Sequence, residues 1–283
     1  MNNQPWPKVS IITPSYNQGQ FLEETILSVL NQDYPNLEYI IIDGGSTDNS
    51  VEIIKKYQDR IAYWVSEPDK GQSDAINKGF RIATGDILAW LNSDDLYLPG
   101  AISAAVSYMQ DRHDVSCIIG DQETIGPEGE YLCTVKNIPF NFCRTLYGGS
   151  MIPQPSTFFT RKALDIAGYL DTSLQYQMDY DFFLRMAYKG IRFGIIERPL
   201  AAFRLHHMSK TVSEYSNKVK QANYIVRQRF SKLWLGNAQL TQILFESLKW
   251  IFKCETYLIR IITRKDFVPF RGTYARIFKL DKK

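Results

Sequence analysis

The chain has 283 residues, 45% of them apolar, 22% charged and 13% aromatic, which excludes a disordered chain, a disulfide-stapled miniprotein and a collagen-like repeat. Its four cysteines (Cys117, Cys133, Cys143, Cys254) match no CxxC or zinc-ligand spacing and read as reduced thiols of a cytosolic protein. The net charge of +3 conceals an asymmetry: residues 1–203 hold 16 Lys/Arg against 25 Asp/Glu, a balance of −9, and residues 204–283 hold 17 against 5, a balance of +12.

Met1 to Pro7 is polar and no run approaches 18 apolar residues, so neither a signal peptide nor a spanning helix is expected. Val9–Thr13 is short, β-branched and closed by Pro14, a buried strand. Leu22, Ile26, Val29 and Leu30 set a helix over Phe21–Asn31. A second strand, Leu37–Ile42, runs into Asp43-Gly-Gly-Ser-Thr-Asp48. A helix from Asn49 to Tyr57, a strand at Ile61–Val65 and a helix over Ser73–Ala83 follow, the last stopped by Gly85. Asp86–Leu91 makes a fourth strand that ends in Asn92-Ser-Asp-Asp95. This βαβαβαβ order predicts an α/β fold, a mainly parallel sheet covered by helices, whose ligand crevice lies beyond the carboxyl ends of the strands. The polar clusters after Thr13, Ile42 and Leu91 all fall at that edge.

Further on, the pattern gives a helix over Pro99–Gln110, a strand at Val115–Ile119 and a Gly/Pro-containing connection over 120–130. Pro155–Arg161 reads as a strand, Lys162–Ala167 as a short helix and Asp179–Tyr188 as a longer one. Arg192–Glu197 and Leu200–Leu205 read as two strands divided by Pro199, and the chain from Ser209 to about Thr263 as helical throughout.

Asn92-Ser93-Asp94-Asp95 pairs two carboxylates on a strand-end turn, a geometry that suits a hard divalent cation with positions left open for phosphate oxygens. A solvated turn or a cap before Pro99 would use the same residues. The glycines after Asp43 would let backbone approach a ligand, while a tight turn with a helix cap explains them equally. Tyr16, in Pro14-Ser-Tyr-Asn17, offers a ring for a base to stack on, or is a surface side chain of a rigid turn. Asp179 and Asp181 open a helix, where the dipole favours them. At i and i+2 they cannot share a face, so at most one serves as a general base. His206-His207 is either a surface pair or supplies one imidazole to Asp94. No GxGxxG or GxxxxGK[ST] pattern is present.

The succession Val-Ser-Ile-Ile-Thr-Pro-Ser-Tyr-Asn, Ile-Ile-Asp-Gly-Gly-Ser-Thr-Asp, Lys-Gly-Gln-Ser-Asp-Ala-Ile-Asn-Lys-Gly and Leu-Asn-Ser-Asp-Asp resembles family 2 glycosyltransferases. So do Gln154-Pro-Ser-Thr-Phe-Phe, Leu170-Asp, Asp179-Tyr-Asp-Phe-Phe-Leu-Arg185 and Phe203-Arg-Leu-His206, and the likeness covers about residues 8–211. It implies a GT-A fold and inverting transfer from a nucleotide-diphosphate sugar, as in bacterial envelope polysaccharide assembly. The catalytic domain would span 1–208, with a nucleotide-sugar half to about 98 and an acceptor half over 99–208, followed by a basic helical extension, 209–283. The resemblance puts Pro14, Tyr16, Asp43, Lys70, Gln72, Asp74 and Ser93 on the nucleotide. It puts Asp94, Asp95 and His206 on Mg²⁺ or Mn²⁺, Asp179 as the base, and Gln154, Asp181 and Arg185 on the acceptor side. Asn92 stands where the family's motif begins with Asp, which leaves the ribose contact open. Uridine or thymidine is the expected base, since Asp43 could accept the N3–H that both present.

A nucleotidyltransferase would want a Gly-rich basic loop after the first strand, and Pro14-Ser-Tyr-Asn17 is neither. A non-catalytic nucleotide- or glycan-binding module is the reading from another class. In the tail, Leu240, Ile243, Leu244, Leu248, Ile251, Phe252, Leu258, Ile259 and Ile262 share a broad face, with Lys249, Lys253 and Arg260 opposite it or at its edge and Trp250 and Tyr257 at its borders. The pattern resembles an interfacial helix at the inner face of the plasma membrane, which suits a glycan or polyprenyl-diphosphate-linked acceptor. The competing expectation packs that face on the catalytic domain or on a second subunit in a homodimer. Glu255 on the apolar side favours packing. The apolar stripe argues for lipid or protein and against nucleic acid as the partner.

Overall fold

In the computed structural model the described residues are 6–148, 152–207, 209, 217–235 and 238–262. Strands β1 (Val9–Ser15), β2 (Leu37–Asp43), β3 (Tyr63–Ser66) and β4 (Ile87–Trp90) alternate with α1 (Gly19–Leu30), α2 (Ser50–Lys56) and α3 (Gln72–Ile82). They pair in parallel in the order β3-β2-β1-β4. β1 and β2 are apolar on successive positions because both faces are covered. Ile12, Ile40 and Ile42 meet Ile76 and Phe80 of α3 on one side. Ile11 and Ile41 meet Leu22, Ile26 and Val29 of α1 on the other.

The second half is mixed. After β5 (Leu96–Tyr97) and α4 (Ala101–Asp111) come β6 (Cys117–Ile125), β7 (Tyr131–Val135), α5 (Phe142–Gly148), β8 (Thr157–Thr160), α6 (Arg161–Ala167), α7 (Met178–Tyr188) and β9 (Phe193–Arg204). The sheet order is β3-β2-β1-β4-β8-β6-β9-β5, with β7 paired to β6. β8 is antiparallel to both β4 and β6, and so joins the parallel half to the mixed one.

Four expectations are corrected here. The segment expected as a connection over 120–130 is largely β6 and its hairpin to β7. The strand expected from Pro155 begins as a 3-10 turn, Gln154–Ser156. The two strands expected around Pro199 are one strand. Its register against β6 slips beside Asp121, which lies opposite Pro199, so the proline is absorbed as an irregularity. β5 and α5 have no counterpart among the expected elements.

Two helices follow, α8 (Asn217–Leu235) and α9 (Ala238–Ile262). The expected helical run also crosses 210–216 and 236–237, which lie outside the described residues, as do the side chains of Leu240, Ile243 and Leu244. Val226 and Phe230 of α8 are fully buried in the same core as Trp90, Phe159, Phe182 and Phe183. α8 therefore contributes to the same core as the strands and helices before it. On α9, Leu248 and Phe252 pack on it too, with Phe252 stacked on Tyr147 of α5. No helix among the described residues is long and apolar enough to cross a membrane.

Candidate active site

The carboxyl ends of β1, β2 and β4 meet at one edge. Asp43 is fully buried where β2 ends, and its Oδ2 accepts from Gly45 N, Ser46 N and Ser66 Oγ while Oδ1 accepts from Ser46 Oγ. This carboxylate shapes the turn that follows it. Asn17, at φ +50°, accepts from Thr47 N and is itself bonded through its N–H to Ser46 Oγ, so the loops after β1 and β2 are laced together. Pro14 is buried in β1, whereas Tyr16 is 60% exposed beside Gly44. A side chain at Gly44 would strike the Asp69 carboxylate and crowd the Tyr16 ring, so only glycine leaves this approach open.

Lys70 is exposed, and its backbone N–H donates to Asp74 Oδ2 at the start of α3. Asp74 thus ties down the helix's first turn. Gln72 Nε2 donates to Asn92 Oδ1 at 2.7 Å. Asn92 Nδ2 donates in turn to Asp95 Oδ2 at 3.1 Å and to Gln154 Oε1 at 3.2 Å. Gln154 Nε2 is fixed on Trp90 O. One chain of amides thereby connects α3, the β4 turn and the 154–156 turn. The sequence reading placed Gln72 and Gln154 on opposite sides of the site, and Asn92 is what joins them.

Asp94 and His206 come together through strand register. β5 pairs antiparallel to β9 with Leu96 opposite Ala202, which brings the turn before β5 against the end of β9. Arg204 N donates to Asp95 Oδ1 and Arg204 Nε to Asp94 O, each at 3.0 Å. Two residues on, His206 Nε2 stands 2.9 Å from Asp94 Oδ2. Asp95 is fully buried, with both oxygens accepting from within the protein. Burial and the neighbouring Asp94 charge push its carboxyl well above the usual range, against the bonds from Arg204 and Asn92. Ser93, in the same turn, is buried. His207 is exposed.

Asp94 Oδ2 and His206 Nε2 converge, and His206 Nδ1 is buried with no partner among the described residues. Among those residues no group of three or more His, Cys, Asp or Glu side chains is arranged to hold an ion. A carboxylate and an imidazole fit a cation that draws its remaining ligands from phosphate and water, as a hard ion bound with its nucleotide does. Asp95 fits as the support of Asp94, because its oxygens point to Arg204 and Asn92.

Asp179 opens α7 behind Gln177, which holds a left-handed φ of +60°. Its Oδ1 accepts from Tyr180 N, and desolvation raises its pKa against that bond. Ser73 Oγ donates to Met178 Sδ, so Asp179 sits one residue beyond a contact with the nucleotide half. Asp181 points the other way. It is fully buried, with Arg185 Nε on Oδ2 and Arg229 Nη1 on Oδ1, both at 2.7 Å. Arg185 further donates to Ala167 O and Tyr169 O. Asp181 and Arg185 thus pair with each other at i and i+4, as their spacing suggests, and Arg229 of α8 completes the pair. The reading missed Arg204, Glu24 and Arg229. A charged residue ending an apolar strand was a signal for Arg204; local sequence offers none for the other two.

A family model described as "Glycosyl transferase family 2" matches residues 10–165. An uncharacterized glycosyltransferase of Mycobacterium tuberculosis is 34% identical over 191 residues, 64% of this chain and 69% of its own. Chondroitin synthase of Pasteurella multocida is 27% identical over 274 residues, which are 92% of this chain but 28% of the synthase. Among solved structures, S. aureus TarS 1–349 in complex with UDP-GlcNAc superposes with a TM-score of 0.65 at 18% identity, over 95% of this chain and 79% of that one. A Pyrobaculum calidifontis mannosyltransferase in complex with GDP-Man and Mn²⁺ gives 0.61 at 18% identity, over 98% and 84%. At such identities the two structures speak for the fold alone.

Proposed function

The chain belongs to glycosyltransferase family 2 and has its GT-A fold, and from that premise we propose that it moves a sugar from a uridine or thymidine diphosphate to a hydroxyl of a glycan or lipid-linked acceptor, with inversion. The observation that carries the reading is the Asp94–His206 pair, 2.9 Å apart at the carboxyl edge of the sheet. These two residues would hold Mg²⁺ or Mn²⁺, with Asp95 behind them. When bound there, the ion would neutralise charge on the departing diphosphate. Tyr16 and the Gly44 approach would seat the base, with Pro14 beneath, and Asp43 would take the imide N–H on Oδ1. Lys70, Gln72, Asp74 and Ser93 would line the ribose and diphosphate.

Asp179 would take the acceptor's proton as its oxygen bonds to the anomeric carbon and the bond to the diphosphate breaks. A raised pKa suits that role, because a more basic carboxylate removes the proton more readily. One base and one departing group suffice for a single displacement without a covalent enzyme intermediate. Gln154 would face the acceptor side of the same crevice.

One side of α9 packs on the core and the other is open, so the packing and membrane readings concern different faces of the helix. Leu248, Phe252 and Glu255 face α5, with Glu255 Oε1 3.3 Å from Arg144 Nη1. Trp250, Ile251, Tyr257, Leu258 and Ile262 are exposed, and the Lys253 ammonium lies 5.8 Å over the Trp250 ring. An apolar stripe edged by lysine on a tail of balance +12 fits an anionic headgroup layer, so a peripheral enzyme at the inner face of the plasma membrane is the proposed setting.

Calorimetric titration with UDP, GDP and dTDP, with Mn²⁺ and then with chelator, tests the donor site. Metal-dependent binding of one nucleotide, lost in Asp94→Ala, is the expected result. Folded protein that binds none of the three would overturn it.

A further inference from the structure

We propose that Arg204 is a positioning residue that holds Asp94 and His206 in register with each other; this rests on the reading of those two residues as the cation site. Arg204 is fully buried, and its donors reach three separate parts of the chain: the Asp94–Asp95 turn, the β6–β7 hairpin and α1. Its backbone N–H holds Asp95 Oδ1 and its Nε holds Asp94 O, at 3.0 Å each. Nη1 donates to Pro127 O in the β6–β7 hairpin at 2.9 Å, and Nη2 to Glu24 Oε2 on α1. The guanidinium carbon lies 4.9 Å over the Phe21 ring, and that ring packs against the His206 imidazole with centroids 4.6 Å apart.

The two candidate ligands come from separate stretches of chain, the turn before β5 and the end of β9. Arg204 bonds to the first directly. It reaches the second through Phe21 and through two residues of its own backbone. A planar fork with fixed donor directions can satisfy Asp94 O, Pro127 O and Glu24 at once, which a lysine ammonium on one stem cannot. Arg204 is buried and its donors are engaged by the protein, so its role is to position the pair. Its effect is to keep a two-residue site from opening.

The experiment measures Mn²⁺ binding in the presence of UDP for wild type, Arg204→Lys, Asp94→Ala and the double variant, with UDP binding in chelator and thermal unfolding as parallel readouts. Supporting groups of this kind change metal affinity by about 10–100-fold. Arg204→Lys is expected to weaken Mn²⁺ by that factor, leave UDP binding in chelator unchanged, and add nothing in the Asp94→Ala background. Wild-type Mn²⁺ affinity in Arg204→Lys, or losses that simply add in the double variant, would overturn the inference while the donor site stands. Wild-type protein that binds UDP but no Mn²⁺ would overturn the cation site and this inference together. If Arg204→Lys does not fold, Glu24→Gln decides: its carboxylate is over half exposed, so the fold survives, and Mn²⁺ must still weaken by several-fold.

Discussion

Arg229, on α8, donates to Asp181 Oδ1 at 2.7 Å while Arg185 donates to the other oxygen at the same distance. The two aspartates that open α7 are thereby separated in role. Asp181 is consumed by two guanidiniums, whereas the acceptors of Asp179 are matched within its own turn by one backbone N–H. Asp179→Asn is expected to lower transfer by about 10²–10⁴-fold with nucleotide binding retained. Near-normal turnover in that variant would remove Asp179 as the base. Desolvation raises the Asp179 pKa, so the acidic limb of kcat/KM is expected above the ordinary aspartate range.

Asp181→Ala should instead act on stability. Removing one partner from a fully buried pair costs about 3–5 kcal/mol. Arg229 is 37% exposed and can rehydrate, so about 2–3 kcal/mol is expected here. Chemical denaturation measures it. A variant of wild-type stability would show that α8 is not held to α7 by this contact.

Asn92→Asp restores the carboxylate with which the family motif begins, and the structure predicts harm from it. Asn92 Nδ2 is the donor to Asp95 Oδ2 and Gln154 Oε1, both acceptors. A carboxylate there would set three acceptors against one another beside a carboxyl already pushed upward by Asp94. A loss of about 1–3 kcal/mol in stability is expected, partly recovered when Mn²⁺ and UDP are added. Thermal unfolding with and without Mn²⁺ and UDP checks both parts. A more stable Asn92→Asp would mean that the amide chain is not the reason for asparagine.

The parallel half of the fold was legible because each strand is a short apolar run closed by polar residues, and each helix carries its own period. What escaped depends on pairing across long separations. β5 has two residues and exists because Ala201 and Ala202 lie opposite it. β9 runs through Pro199 because β6 tolerates the slip. The site follows the same division. Asp94, Asp179 and His206 stand in local motifs, while Arg204 and Glu24 acquire their meaning only when residues 180 apart in sequence meet. The Asp181–Arg185 pair follows from i,i+4 spacing, whereas its further partner, Arg229, lies in the tail and has no local signal.

Glu38, at the edge of the sheet opposite the site, is expected to contribute to the loss of stability at low pH. Burial alone would raise its pKa, but Lys8, Ser10 and Thr84 all bond to the carboxylate and hold it down at about 2. A carboxylate lowered on folding contributes in full above its unfolded pKa of about 4.3, and that contribution is lost as pH falls towards 2. About 2–3 kcal/mol is expected to disappear across this window. Glu38→Gln should be less stable at neutral pH and show a flatter acid limb. Parallel acid-unfolding curves for the two proteins would place the acid-sensitive group elsewhere.

The exposed stripe of α9 can be separated from its packed side by substitution, where deletion cannot. Removing α9 would also take Phe252 off Tyr147 and Glu255 off Arg144, and so would confound surface binding with folding. Ile251 and Leu258 are 59% and 56% exposed. Ile251→Asp with Leu258→Asp should leave stability within about 0.5 kcal/mol per site, as substitutions on an open surface do. The same pair removes two apolar anchors and adds two like charges against an anionic layer, so vesicle affinity should fall by more than about 10-fold. Phe252→Ala is the converse, costing about 1–3 kcal/mol in stability with vesicle binding retained while the protein is folded. Sedimentation with vesicles of anionic lipid, compared with neutral ones, reads the outcome. Equal sedimentation of wild type and the double Asp variant would show that the stripe does not meet lipid, and the apolar face would then be left to a second protein surface.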